Sequence, residues 1–320
     1  MKTPIIDLHC DMTYYFVENK AANAMNVDDI GCAIPHLQKG NVVAQVMAFF
    51  TPSKPIEHGV AMQQAKIFNS FLKDYPNQFN RGPIDPKKGT TILAAIENAS
   101  GFCHEDEKLD DGLRELDKII ELTGGIFYIG FMHWGDSRFG GAAGSKTGLK
   151  NDGKVLLDYI NNKNIAVDLS HAGDALAYDI FNYTDSKNLN IPILASHSNH
   201  RILKNHDRNL TDELSRELIK RGGLIGLNFM SPYIGDDDKP DTIYDHIEHS
   251  LKLGAEEAIA IGADFFFDDE RQEQIYYPKF NSASCYPILL DEIEKRFSKT
   301  IVEKIAYKNA QRFIQKQIKL

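Results

Sequence analysis

The chain has 320 residues, of which 42% are hydrophobic and 25% charged, and it carries a formal net charge of -9. That balance is ordinary for a soluble globular protein and argues against nucleic acid or an anionic membrane surface as the main partner. No stretch reaches the roughly 18 apolar residues of a spanning helix. The opening MKTPIIDLHCD shows no basic region followed by a long apolar one, so no secretory signal is expected. Cys10, Cys32, Cys103 and Cys285 are scattered and form no CxxC pair. They read as reduced thiols of a cytoplasmic protein, not as a zinc ribbon or a redox motif.

The first strand is PIIDLH from Pro4. In extended chain, residues i and i+2 share a face, so His9 and Asp11 project together from its end and Cys10 turns away. Thr13 to Gly40 reads as a long loop. VVAQVMAFF from Val42 is the second strand, and AMQQAKIFNSFLKDY then sets Ala61, Ala65, Phe68 and Leu72 near one helical stripe. Pro76 to Gly89 reads as a second long loop. TILAAIE from Thr91 ends in Glu97 and is followed by helical GLRELDKIIEL. IFYIGFMH from Ile126 ends in His133 and precedes helical KVLLDYI. IAVDLSH from Ile165 and IPILASH from Ile191 end in His171 and His197. Thr211 N-caps the helix DELSRELIKR. GLIGLNF from Gly223, the helix YDHIEHSLKLG and AIAIGAD from Ala258 bring the chain to Asp264. Leu289 to Arg296 and Val302 to Gln317 read as closing helices.

Eight continuously apolar strands alternating with amphipathic segments predict a parallel sheet buried on both faces. Eight strands in this length favour a closed (β/α)8 TIM-type barrel over an open doubly wound sheet, and no GxGxxG follows the first strand. One barrel domain over 1–320 is expected.

Barrel enzymes place their working residues at the strand ends. Here those ends supply His9, Asp11, Glu97, His133, His171, His197 and Asp264. A lone buried histidine is more often a hydrogen-bonded core residue than a ligand, and a lone strand-end carboxylate is often an N-cap. Seven such groups on one rim would be poorly satisfied without a cation. Imidazole and carboxylate without thiolate suit zinc, with manganese, iron or cobalt as substitutes. Glu97 is available to bridge two ions, His9, Asp11 and Glu97 holding one and Glu97, His171 and His197 the other. A water held between two zinc ions would be hydroxide-like near neutral pH, since its pKa falls to about 7.

DLHCD, the IE of AAIENA, VDLSHAG, ASHSNHR, DRNLTDE, RGGLIGLNF and IGADF together resemble the membrane (renal) dipeptidase family of the amidohydrolase superfamily. The likeness runs in order along nearly the whole chain, down to YKNAQRFI. It implies a binuclear zinc dipeptidase that attacks the peptide bond with a metal-bridging hydroxide and often accepts a D-residue at the C-terminal position. It further implies that His133 contacts the scissile carbonyl. Asp264 would move the proton from water to the leaving amine, and Arg208 in DRNL would hold the substrate carboxylate. Without the motif, Arg208 would read as a surface salt bridge. Relatives are often dimers, and no feature of the sequence establishes an interface.

Some residues depart from the family pattern. Met230 stands where relatives carry an aromatic after NF. DFFFDD replaces DFDG, and Tyr14, Tyr15 and Phe16 stand where some relatives place a tryptophan. These touch the walls of the expected pocket rather than the ligands. Another hydrolase on the same barrel, such as a lactonase, phosphotriesterase or N-acyl-amino-acid deacylase, is the alternative, as is a non-enzymatic metal-binding barrel. Several such hydrolases bridge their metals with a carboxylated lysine, and no lysine ends the third or fourth strand. Cys10 reads as packing, Trp134 as pocket wall or core, and His200 as a loop hydrogen bond.

Overall fold

The computed structural model describes residues 3–52, 58–235, 241–267, 275–276 and 280–317. Asp268 and Asp269 of the DFFFDD stretch lie outside them. Among the described residues there are nine strands: β1 (Ile5–Cys10), β2 (Val42–Phe50), β3 (Phe79–Asn80), β4 (Thr90–Glu97), β5 (Tyr128–Gly130), β6 (Ala166–Asp168), β7 (Ile193–Leu194), β8 (Ile225–Leu227) and β9 (Ile259–Ile261). Their order is β7-β6-β5-β4-β2-β1-β9-β8, with β3 paired outside β4. Every named pairing is parallel. A parallel bridge from Ala195 to Ile225 joins the two ends of that order, so eight strands form a ring. This is the TIM-type barrel that the alternating pattern predicts.

Strand alternation divides the apolar residues between two clusters. On β4, Ile92, Ala94 and Ile96 pack in the larger cluster, which also holds the helices' apolar stripes. Leu93 and Ala95 instead join Ile6, Leu8, Val46, Ala166 and Leu194 in a smaller one, together with Phe313 and Ile314 of the C-terminal helix. Glu97 has the parity of Leu93 and Ala95, and this brings its carboxylate to the inner face at the strand's end. The ladder between β1 and β2 slips between Asp7 and Cys10, where His9 stands.

The expected helices form at α3 (Val60–Asp74), α4 (Leu109–Thr123), α5 (Asn151–Ile160), α7 (Asp212–Lys220), Thr242–Lys252 and Tyr286–Arg296. Thr211 caps α7 by accepting a hydrogen bond from the Leu214 amide, as expected of an N-cap threonine. Both long loops carry structure that the residue pattern hides. Thr13 to Gly40 contains most of α1 (Met12–Glu18) and all of α2 (Ile34–Gly40), and Pro76 to Gly89 contains β3. The strand expected to run to His133 stops at Gly130. No described helix is long and apolar enough to cross a membrane.

Candidate metal centre

The seven strand-end groups meet at one mouth of the barrel. His9 Nε2 lies 3.6 Å from Asp11 Oδ1, 3.3 Å from Glu97 Oε2 and 3.6 Å from Asp264 Oδ1. The other Glu97 oxygen, Oε1, is 2.7 Å from His171 Nε2 and 3.6 Å from His197 Nε2. Ligand atoms of His133, His171 and Glu97 lie within 4.8 Å of one another, as do those of His9, Glu97 and His197 and those of His9, Asp11 and Asp264. Glu97 thus faces His9 with one oxygen and His171 and His197 with the other. Two residues turn these groups inward with backbone that few side chains adopt. Asn98, directly after Glu97, has φ 74°, and Asp264 itself has φ 67°, which asparagine and aspartate tolerate better than most.

Electrostatics follow from burial. It holds the pKa of His171 and His197 well below the ordinary value, with neighbouring positive groups such as Arg208 adding to it. Burial also lowers His133, to about 4. At His9, burial works the same way but is outweighed by Tyr128 and by the Glu97 and Asp11 carboxylates, which together raise its pKa. Burial raises Asp264; Glu97 and Asp11 add to that while His9 opposes it. His9 Nε2 and Asp11 Oδ1 have no hydrogen-bond partner among the described residues. Orphaned donor atoms of this kind, with imidazole and carboxylate but no thiolate around them, fit a divalent transition-metal ion.

Above the cluster opens a cavity of about 430 Å³, a size usual for small-molecule sites. Its walls include Tyr14, Phe50, Trp134, Met230 and Phe266, and Asp11, Glu97, His133, His171, Asp264 and Arg208 reach it. The departing residues Tyr14 and Met230 are therefore walls, as expected, while Tyr15 is buried in the core. Arg208 is no surface residue: it is buried, stacks 5.3 Å from the Tyr233 ring centre, and leaves Nε and Nη1 without a partner among the described residues. His200 is a buried hydrogen-bonding residue, 2.5 Å from Ser250 Oγ. Cys10 is packed in the core.

Residues that the strand-end pattern does not reveal hold the cluster in place. Tyr128 OH donates to the Leu8 carbonyl (3.0 Å) and so accepts from His9 Nδ1 at 2.7 Å, leaving Nε2 bare toward Glu97. Asn228 Nδ2 donates to Asp264 Oδ2 at 2.9 Å. Asp7, on β1, accepts from the His9 and Ala263 amides and the Tyr286 hydroxyl. The signal that could have found Asp7, and Asp168 likewise, is a carboxylate inside an otherwise apolar strand, a costly placement without donors around it.

A second group, His58, His104, Asp106 and Glu107, lies on the surface. His58 Nδ1 is 2.9 Å from Glu107 and His104 Nδ1 is 2.5 Å from Asp106. Exposed ion pairs account for it, and no buried donor there is left without a partner.

A sequence model of the membrane dipeptidase family, peptidase family M19, matches residues 1–319. The chain belongs to that family. An uncharacterized protein of Klebsiella pneumoniae is 28% identical over 188 residues, covering 56% of this chain and 66% of its own length. An uncharacterized dipeptidase of Schizosaccharomyces pombe is 30% identical over 206 residues, covering 59% of this chain and 47% of its own length. The chain thus spans about two thirds and about half of the lengths of these curated relatives. A metallopeptidase from Rhodobacter sphaeroides, solved with a phosphinate mimic of the dipeptide L-Ala-D-Ala, has the same fold. Its TM-score is 0.84 at 18% identity, covering 99% of this chain and 100% of that one.

Proposed function

We propose that the chain is a metal-dependent dipeptidase holding two divalent cations, zinc first among them, across Glu97. The observation that carries the reading is the division of that one carboxylate between His9, at 3.3 Å, and His171, at 2.7 Å, beneath a cavity of small-molecule size. His9 and Asp11 would complete one half of the centre, and His171 and His197 the other. When bound, such cations lower the pKa of a coordinated water to about 7 and polarise a carbonyl.

The remaining work falls to the chain's own residues. Arg208 receives the C-terminal carboxylate, for which a planar guanidinium with unengaged donors is suited. His133, kept neutral by burial, offers its ring N–H to the scissile carbonyl oxygen. Asp264 takes the proton of the attacking water and passes it to the leaving amine. The aromatic walls limit the substrate to a short one and exclude bulk water. The ligand of the Rhodobacter sphaeroides relative ends in a D-residue, which supports including L-D dipeptides among the substrates. A dipeptide library with L-L and L-D pairs, run on protein of measured metal content beside lactones, phosphotriesters and N-acyl amino acids, tests the reading. Turnover confined to another class would overturn it, and bound metal without any turnover would indicate a non-enzymatic barrel.

Arg208→Ala is expected to raise KM for free dipeptides by roughly 10–100-fold, the worth of a charged hydrogen bond, and to leave C-terminally amidated substrates almost unchanged. Equal losses on both substrate sets would refute the carboxylate role. Stripping the metal with a chelator should lower the melting temperature by on the order of 10 °C. Two sites at a hundred times Kd add about 5 kcal/mol to the folded state. A scan unchanged by chelator and by zinc re-addition would count against a metal centre.

A further inference from the structure

The strand ends that supply His171 and His197 repeat one dipeptide: Ser170–His171 follows β6 and Ser196–His197 follows β7. The two histidines turn toward Glu97, and the two serines meet at Asp168, the last residue of β6. That carboxylate is buried. Its Oδ1 accepts from the Ser170 amide at 3.2 Å, the Ser170 hydroxyl at 2.8 Å and the Ser196 amide at 2.7 Å. Its Oδ2 accepts from the Ser196 hydroxyl at 2.6 Å.

Ser196 is held on its other sides as well. A Cβ built on Gly226 or Gly262 would come within 1.9 or 1.8 Å of the Ser196 carbonyl oxygen, so only glycine lets those two backbones close around it. The His197 amide donates to Ser170 Oγ at 3.0 Å, which ties the ligand's backbone into the same clamp.

A hydroxyl has one proton. With that proton committed to Asp168, Ser196 Oγ can only accept from His197 Nδ1, which lies 2.7 Å away. His197 therefore carries its proton on Nδ1 and turns a bare Nε2 toward Glu97 and His171. Tyr128 does the same for His9, but its chain of hydrogen bonds ends on a neutral carbonyl. The chain behind His197 ends on a carboxylate, which makes the imidazole a stronger donor to a cation.

We propose that Asp168, acting through Ser196, is the positioning residue that fixes the His197 tautomer and sets the metal affinity of the His171–His197 half of the centre. This rests on the metal-centre reading above. Ser196→Ala removes the link to His197 and leaves Asp168 its three other donors. Neither residue lines the substrate cavity.

The test challenges zinc-loaded wild type, S196A, S196T and D168N with graded chelator and counts the zinc retained. In wild type, ¹⁵N NMR of the imidazoles reads the proton position on His197. Ser196→Ala and D168N are expected to release one ion at about 10–100-fold lower chelator strength, the usual cost of losing a ligand's hydrogen-bond partner, and to keep the other ion at wild-type affinity. S196T, which retains the hydroxyl, should hold the ion that S196A releases more tightly than S196A does, with the other ion unchanged. Folded S196A that retains both ions as wild type does would overturn the inference. So would a wild-type spectrum with His197 Nδ1 unprotonated, a result that needs no variant to fold. Wild type that holds no zinc at all would remove the metal-centre reading itself.

Discussion

Glu97→Ala is expected to abolish measurable dipeptide turnover and to leave the protein with less than its full complement of metal. Glu97 faces both groups of ligands, with one oxygen 3.3 Å from His9 and the other 2.7 Å from His171. Removing it takes a ligand from each half at once. It also leaves imidazoles and carboxylates facing one another across a small buried hole, at a cost of several kcal/mol for uncompensated charge. The loss should therefore appear in metal content and in stability as well as in rate. Glu97→Gln is the sharper variant because it keeps the volume and one oxygen. It should retain one ion better than the other, since only one side can then face an anionic-like acceptor. Metal analysis showing two ions in Glu97→Ala, with near-normal kcat, would end the bridging role.

The barrel and its seven strand-end groups were legible because both rest on short-range chemistry. An apolar run ending in His or a carboxylate is visible in DLHCD, AAIEN and DLSHAG without knowing what lies beside it. Parity did the same for Glu97, which shares its face with Leu93 and Ala95. What stayed hidden depends on distant partners. α1 starts directly after Asp11, and no side chain caps it, so the usual start signal is missing. α6 (Asp174–Ser186), between β6 and β7, is the exception: Leu176, Ala177, Ile180, Phe181 and Thr184 keep helical spacing and mark it locally. Arg208 sits in a polar stretch that looks exposed; only the Tyr233 ring, from a separate segment, reveals that it is buried. Ser196 carries no local mark at all, because its meaning lies in hydrogen-bond direction across two strands.

Asp264→Asn is expected to lower kcat by about 10²–10⁴-fold, the range for loss of a positioned proton carrier, while metal content stays at the wild-type level. The variant is chosen on local geometry. Asp264 occupies φ 67°, which asparagine also tolerates, so the backbone turn at the end of β9 should survive. Its Oδ2 accepts from Asn228 Nδ2, and an amide oxygen can take that place, leaving the amide nitrogen toward His9. Alanine would instead leave Asn228 partly unpaired in a buried site and mix a folding defect with a chemical one. The contrast with Glu97→Ala separates the two carboxylates: one defect travels with metal, the other with proton transfer. KM should change little for Asp264→Asn, since the substrate carboxylate is assigned to Arg208 on a different wall of the cavity. Near-normal kcat in a fully metallated Asp264→Asn protein would assign the proton transfer elsewhere, with His133 the next group to examine.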